Sequence, residues 1–366
     1  MKTATVNLPQ RPYSIISGGH IIPHLGAHLK RLKIGNDAYI ITNSLIEHKY
    51  GKLIEEALRK EGFTVKFKCV RDTEKSKSLK TAAHVLNNLA FYDKKRSIFI
   101  VALGGGVIGD LSGFIASIYK RGVPYINIPT TLLAQIDSSI GGKTAVDLEA
   151  GKNLVGSFYQ PRLVFSDISF LSSLDQRQIR AGLAEVIKYG IIGDEALFRY
   201  LEKNCGRLLA RDVSALEFIV KRCSAIKAGI IEQDEYETKG IRTVLNFGHT
   251  IGHALEAAAH FNKYNHGEAI ALGMLVASEI SSLLGLITAA SVNRIEKLLS
   301  EAGLPVRITG IAMNDILRVH YRDKKFSGTR NKFVLIEGIG KVIIKQDIPL
   351  EVIKQALQKR SARYFA

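Results

Sequence analysis

Cysteine is scarce in this chain of 366 residues: Cys69, Cys205 and Cys223 form no C-x-x-C pair and are odd in number. That excludes a disulfide framework and points to a reducing compartment, with the thiols as inert core or surface groups. An apolar leader is also lacking, because Met1 to Gln10 is polar and interrupted by Pro9. No export signal is expected, and the expected location is the cytoplasm. The longest apolar run, Ala269 to Ala290, carries Glu279 and Ser278, Ser281 and Ser282 near its middle. An acid at that depth in lipid costs about 2.5 kcal/mol or more, so a core helix is expected rather than a membrane span. Acidic residues are few, 34 against 51 lysines and arginines, for a net charge of +17. The surplus contains no run of five or more like charges and no aromatic ladder at stacking spacing, which argues against nucleic acid as a partner. Diffuse positive potential suits the steering of a small, highly anionic substrate.

What is present is a folded chain, 46% hydrophobic and long enough for two cores. Ala38 to Thr42, Thr64 to Val70, Ser97 to Leu103 and Tyr125 to Ile128 are short, β-branched and apolar, the pattern of buried strands. Between them Lys49 to Glu61 and Leu79 to Phe91 have helical periodicity. This alternation predicts a Rossmann-like α/β domain with a parallel sheet over residues 1–165. Beyond it, helical patterns run over Leu174 to Tyr189, Ala196 to Leu209, Val213 to Glu232, Gly248 to His260, Gly267 to Leu284 and Ala289 to Ala302. A late strand pair, Lys332 to Glu337 and Gly340 to Lys345, turns near Gly338. Residues 166–366 are therefore expected to form a mostly helical domain, with ligands bound where the two domains meet.

Gly104-Gly105-Gly106-Val107-Ile108-Gly109 satisfies G-x-G-x-x-G between an expected strand and a helix, where backbone amides can approach a pyrophosphate. The acid usual some twenty positions later is missing, for Lys120 and Arg121 stand there, so an ordinary Rossmann unit does not follow. Gly141-Gly142-Lys143-Thr144 is like the end of a P-loop, but Asp137 occupies the place of its first glycine. What remains is Pro129-Thr130-Thr131, Asp137, Lys143, Lys152 and Asn153, a mixture of hydroxyls, acid and lysines suited to a phosphorylated polyol. Glu185 and Lys188 share one helical face among apolar neighbours, where charge needs a partner. His249 and His253 are four apart, as in H-E-x-x-H, but Thr250 replaces the glutamate a peptidase needs. With His266 they offer three imidazoles beside the carboxylate of Glu185. One carboxylate and two imidazoles make a catalytic zinc set, and the spacing leaves open which of His249 and His253 would serve.

These motifs fall in order from about Tyr39 to Lys325: Gly104 to Asp110, Pro129 to Ala145, Gly151-Lys152-Asn153, Ala184-Glu185-Val186-Ile187-Lys188-Tyr189-Gly190 and Asn246 to Glu256. Together they resemble the 3-dehydroquinate synthases, members of the sugar phosphate cyclases. The resemblance implies an NAD- and zinc- or cobalt-dependent lyase, acting as a homodimer. Its reaction would convert 3-deoxy-D-arabino-heptulosonate 7-phosphate to 3-dehydroquinate and phosphate in the shikimate pathway, by transient oxidation, phosphate elimination, re-reduction and aldol closure. By similarity, Glu185, His249 and His266 are the metal ligands. Lys143, Asn153, Asn246 and His253 would hold phosphate, with Arg121 supplied by a neighbouring subunit. Lys227, Arg242 and Lys324 would bind the carboxylate, and Asp137, Lys152 and Lys188 the reacting hydroxyls. For NAD, Gly105, Gly106, Val107 and Asp110 would take the pyrophosphate, Thr130 and Thr131 would line the nicotinamide, and Glu74 and Lys77 would reach the adenosine end. The stretch from Lys227 to Arg242 is one residue longer than the family spacing, Gly229 stands where glutamate is common, and Asn43 where aspartate often is. Alternatives are another cyclase of the 2-deoxy-scyllo-inosose synthase kind, which Arg242 and Lys227 argue against, and a metal- and NAD-dependent polyol dehydrogenase.

Overall fold

The structure, a computed structural model, describes residues 2–93, 97–260, 262–327 and 331–362, excluding the side chains of residues 2 and 322–327. Two compact units divide the chain, Met1–Leu174 with Leu216–Tyr236, and Asp175–Ala215 with Glu237–Ala366.

The first unit runs β1 (Lys2–Val6), β2 (Tyr13–Gly18), α1 (Leu25–Leu32), β3 (Asp37–Thr42), α2 (Ser44–Arg59), β4 (Thr64–Cys69), α3 (Leu79–Tyr92), β5 (Ile98–Gly104), α4 (Gly106–Ile118), β6 (Tyr125–Pro129), β7 (Lys143–Leu148), β8 (Gly151–Phe158) and β9 (Leu163–Asp167). Its main sheet has the order β1-β2-β9-β6-β5-β3-β4, parallel except for the antiparallel edge strand β1. The central strands are apolar at consecutive positions because both faces are covered. Ala38, Ile40, Phe99, Val101 and Leu103 pack into one cluster, while Tyr39, Ile41, Ile98, Ile100 and Ala102 pack into another. Each fully buried large side chain among them contributes about 1.5–3 kcal/mol. β7 and β8 form a separate antiparallel hairpin.

The sequence expectation recovers β3 to β6 to within a residue or two, and misses β1, β2, β9 and the hairpin. β1 is five residues with alternating threonines, and β8 is interrupted by Gly151, Lys152, Asn153, Gly156 and Ser157, so neither makes an apolar run.

The second unit begins with α5 (Gln176–Gly193) and α6 (Glu195–Leu209). After α7 (Val213–Gln233) it continues with α8 (His249–Ala258), α9 (His266–Leu283), α10 (Ala289–Glu301), α11 (Met313–Ser327), β10 (Lys332–Gly338), β11 (Lys341–Gln346) and α12 (Leu350–Arg360). Most of α7 groups with the first unit rather than with the rest of 166–366, because Ala228 and Ile231 sit in a cluster with Val6, Leu8, Tyr13, Ile15 and Val164. The long apolar run is α9, buried on nearly all sides. Its Glu279 is gripped by Arg360 and by Lys359 at 3.2 Å. Among the described residues no helix is long and apolar enough to cross a membrane.

Candidate active site

Some of the residues singled out above come together within each unit: Glu74, Lys77, Asp110, Lys152 and Asn153 in the first, and Glu185, Lys188, His249 and His266 in the second. In the first unit, β5 ends at Gly104 and α4 starts at Gly106, with Gly105 as a cap that offers no side-chain acceptor to the first helical amides. The turn is closed by the Thr130 amide donating to the Gly104 carbonyl at 3.0 Å. A Cβ on Gly104 would stand 2.7 Å from Ile108, so the strand-to-helix turn tolerates no side chain there. Val107 lies in the first turn of α4. Thr131 Oγ1 accepts from the Ala134 amide at 3.2 Å, opening a π-helical turn over Ala134–Ser138 that presents Asp137. Lys227 of α7 lies against the Asp137 carboxylate and donates to its main-chain carbonyl at 2.8 Å.

Lys77 is the hub of this unit's charges. Its ammonium donates to Asp110 Oδ2 at 2.8 Å and to Asn153 Oδ1 at 2.5 Å, with Glu74 at 3.8 Å. Glu74 in turn lies 3.6 Å from Lys152. Burial works against the Lys77 charge, but Asp110 and Glu74 outweigh it and hold the amine above its ordinary value. Burial dominates at Asp110, whose carboxyl is pushed up although Lys77 opposes it. Asn153 is held in a left-handed conformation, φ 57°, its amide bonded to Asp147. Lys143, Lys152 and Asn153 are exposed, and Arg121 stands exposed on the turn after α4 at φ 65°.

In the second unit α5 carries Glu185 and Lys188, both buried, their charges in direct contact. Gly248, at φ 79°, reverses the chain into α8, so that His249 begins the helix and His253 and Glu256 follow on the same face at i+4 and i+7. His266 begins α9. Its Nε2 lies 3.4 Å from Glu185 Oε1, and His249 Nε2 lies 3.6 Å from the same oxygen. Close approach of the helices makes this convergence possible: a Cβ on Gly273 of α9 would fall 1.9 Å from the Gly248 carbonyl. Arg242, on a 3₁₀ turn over Ile241–Asn246, is buried 3.6 Å from Glu237. Asn246 and His253 are exposed. Lys324 falls within α11, and its side chain lies outside the described residues.

This second cluster fits a divalent cation. Ligand atoms of Glu185, His249 and His266 lie within 4.8 Å of one another. Two ligands held about 2.0–2.1 Å from a tetrahedral zinc are about 3.3 Å apart, close to the separations seen. The fully buried Glu185 carboxylate touches the Lys188 ammonium, yet neither of its oxygens accepts a well-formed hydrogen bond among the described residues, which leaves it capacity to ligate a divalent cation. Burial alone would raise Glu185. Lys188, His249 and His266 reverse this and hold it well below the usual carboxylate range. Burial and the Lys188 charge push His249 down to about 3, which leaves its lone pair free to ligate. His266 is drawn the other way, to about 10, by Glu185 and Glu256 in spite of burial. Sequence reasoning passed over Glu256 and Glu237. The i, i+4, i+7 spacing of His249, His253 and Glu256 was the available signal for the first.

The family described as 3-dehydroquinate synthase N-terminal matches residues 67–181, and that described as 3-dehydroquinate synthase C-terminal matches residues 182–326. The 3-dehydroquinate synthase of Desulforamulus reducens is 43% identical over 350 residues, covering 95% of this chain and 97% of that protein. That of Dehalococcoides mccartyi is 44% identical, covering 95% and 96%. Among solved structures, a 2-deoxy-scyllo-inosose synthase complexed with carbaglucose-6-phosphate, NAD+ and Co2+ matches with a TM-score of 0.89 at 27% identity, over 98% of this chain and 100% of that one. A 2-epi-5-epi-valiolone synthase from Streptomyces hygroscopicus subsp. jinggangensis 5008, with NAD+ and Zn2+ bound, matches at 0.87 and 26%, over 96% and 98%. An iron-containing alcohol dehydrogenase from Thermotoga maritima shares the fold, with a TM-score of 0.65 at 14% identity over 97% and 98%.

Proposed function

The chain belongs to the 3-dehydroquinate synthase family, and from that premise we propose how its residues divide the work of converting 3-deoxy-D-arabino-heptulosonate 7-phosphate to 3-dehydroquinate and phosphate. The observation that carries the reading is the buried Glu185 carboxylate facing two imidazole Nε2 atoms at 3.4 and 3.6 Å. Glu185, His249 and His266 hold zinc or cobalt, and NAD lies along the glycine turn. The bound metal supplies polarisation of a substrate hydroxyl, and NAD a hydride acceptor that is regenerated, so the net reaction is a lyase reaction without redox change.

The protein's own part is positioning and charge. Gly105, Gly106, Val107 and Asp110 with the first amides of α4 face the pyrophosphate, Glu74 and Lys77 bound the cofactor's adenosine side, and Thr130 and Thr131 line the nicotinamide. Lys188 keeps Glu185 ionised, and with Asp137 and Lys152 it contacts the reacting hydroxyls. Lys227 and Arg242 are cations already desolvated and paired, to Asp137 and Glu237 respectively. Exchanging a protein carboxylate for the substrate's therefore costs little further desolvation. With Lys324 they take the substrate carboxylate. Lys143, Asn153, Asn246 and His253 take the phosphate, and Arg121 reaches into the phosphate site of a partner copy in a homodimer. The substrate phosphate accepts the proton from carbon as it departs, which leaves these side chains the task of holding it in place. The cytoplasm is the proposed location.

The test is to follow inorganic phosphate from the heptulosonate phosphate with and without a chelator. Release should stop on chelation, return with zinc, and leave no net NADH. Accumulation of NADH from a polyol, with no phosphate released, would instead establish the dehydrogenase reading.

A further inference from the structure

An imidazole that binds a metal through one nitrogen is oriented by what its other nitrogen meets. His249 Nδ1 lies 3.1 Å from the Phe247 carbonyl, which turns Nε2 toward Glu185. His266 is held from a different direction. Its Nε2 lies 3.4 Å from Glu185 Oε1, and on the opposite edge Nδ1 lies 3.6 Å from Glu256 Oε1. Glu268, the acid nearest to His266 in sequence, is engaged elsewhere. It accepts from the Asn265 amide at 2.9 Å in the capping box of α9 and forms a two-pronged pair with Arg177, both contacts at 2.7 Å. The Glu256 side chain is only 12% exposed, against 34% for His266, so the contact is largely shielded from water.

We propose that Glu256 is a positioning residue of the metal centre, whose carboxylate faces the Nδ1–H of His266 as its acceptor and so keeps Nε2 directed at the cation held with Glu185 and His249. The proposal deepens the metal reading above and rests on it. One ligand is thus oriented by a main-chain carbonyl, which substitution cannot remove, and the other by a side chain, which it can. A carboxylate at this position also strengthens the imidazole as a donor, because the partial positive charge that ligation places on the ring is compensated beside it. Glu256, His253 and His266 offer ligand atoms within 4.8 Å of one another, so Glu256 acting instead as the ligand of a second ion is a distinguishable outcome.

The experiment is cobalt titration of chelator-stripped protein against a competing chelator, with the visible absorption of the bound ion recorded for wild type, Glu256→Gln and Glu256→Ala. One cobalt per chain is expected in all three. Affinity should fall roughly 10- to 100-fold in Glu256→Ala and less in Glu256→Gln, whose amide oxygen can still accept. The cobalt bands should shift in both variants, while the melting temperature of metal-free Glu256→Gln stays at the wild-type value. Wild-type protein that binds no cobalt sinks the metal reading itself. Wild-type binding with unchanged affinity and spectrum in both variants sinks only the Glu256 assignment, as does a second equivalent of cobalt lost on substitution.

Discussion

Both units bury charge, but they balance it differently. Around Lys77 the cation meets Asp110, Asn153 and Glu74, and Glu74 meets Lys152, so the group is satisfied by its own members. Around Glu185 the carboxylate is wholly buried, touches Lys188, and faces two imidazoles across 3.4 and 3.6 Å without a well-formed hydrogen bond. A closed network is rigid as it stands. An under-satisfied buried carboxylate is instead set to gain by binding a cation, so the two regions should respond unequally to the same kind of substitution.

The largest effect is expected from Glu185→Gln, which keeps the shape and removes the charge. Lys188, 2% exposed at its side chain, is left without its counter-ion, a loss on the order of 3–5 kcal/mol for a buried pair. Turnover should fall by roughly a thousandfold or more, about 4 kcal/mol in the barrier. Phosphate release and metal content, measured on the same preparation, check it, and retained zinc with near-normal turnover would remove Glu185 from the centre.

A smaller effect is expected from the equivalent change in the first unit, Asp110→Asn. Lys77 still has Glu74 and Asn153, so stability should fall by about 1–3 kcal/mol, the range for losing one partner of a buried polar group. NAD affinity should drop roughly tenfold, about 1.4 kcal/mol, read from quenching of NADH fluorescence. Losses as large as those of Glu185→Gln would mean that the first network is no more self-sufficient than the second.

The two regions also differ in how far the sequence discloses them. The glycine turn follows a strand of seven consecutive buried residues, a pattern visible without structure. Glu185, Lys188, His249 and His253 were legible as pairs on helical faces, because three- and four-residue spacing maps onto one side of a helix. Convergence across α5, α8 and α9 was legible only through the family resemblance, since spacing alone does not show that glycines such as Gly273 let two helices touch. The assignment of most of α7 to the first unit was hidden for a related reason. Periodicity gives a helix its apolar face, but not the surface that face will cover. The Lys77 hub was hidden too, because its partners Asp110 and Asn153 lie 33 and 76 residues away.

The smallest effect in stability is expected at the rim of the first network, from Lys152→Met. Lys152 and Glu74 are 3.6 Å apart with side chains 38% and 43% exposed. Water screens such a pair, and fixing two long side chains costs entropy, so exposed pairs of this kind contribute about 0–1 kcal/mol. Methionine keeps the length of the unbranched stem at this exposed position of β8 and removes the charge. At about 2–4 °C per kcal/mol for a unit of this size, the melting temperature should therefore move by no more than about 4 °C. The proposed contact with the reacting hydroxyls adds a second consequence, a clear fall in kcat/KM. Thermal unfolding and steady-state phosphate release on the same variant separate the two. Stable protein with reduced turnover supports a role for Lys152 toward substrate, stable protein with full turnover removes it from the site, and a large loss of stability would show that the rim of this network carries energy the buried hub was thought to hold.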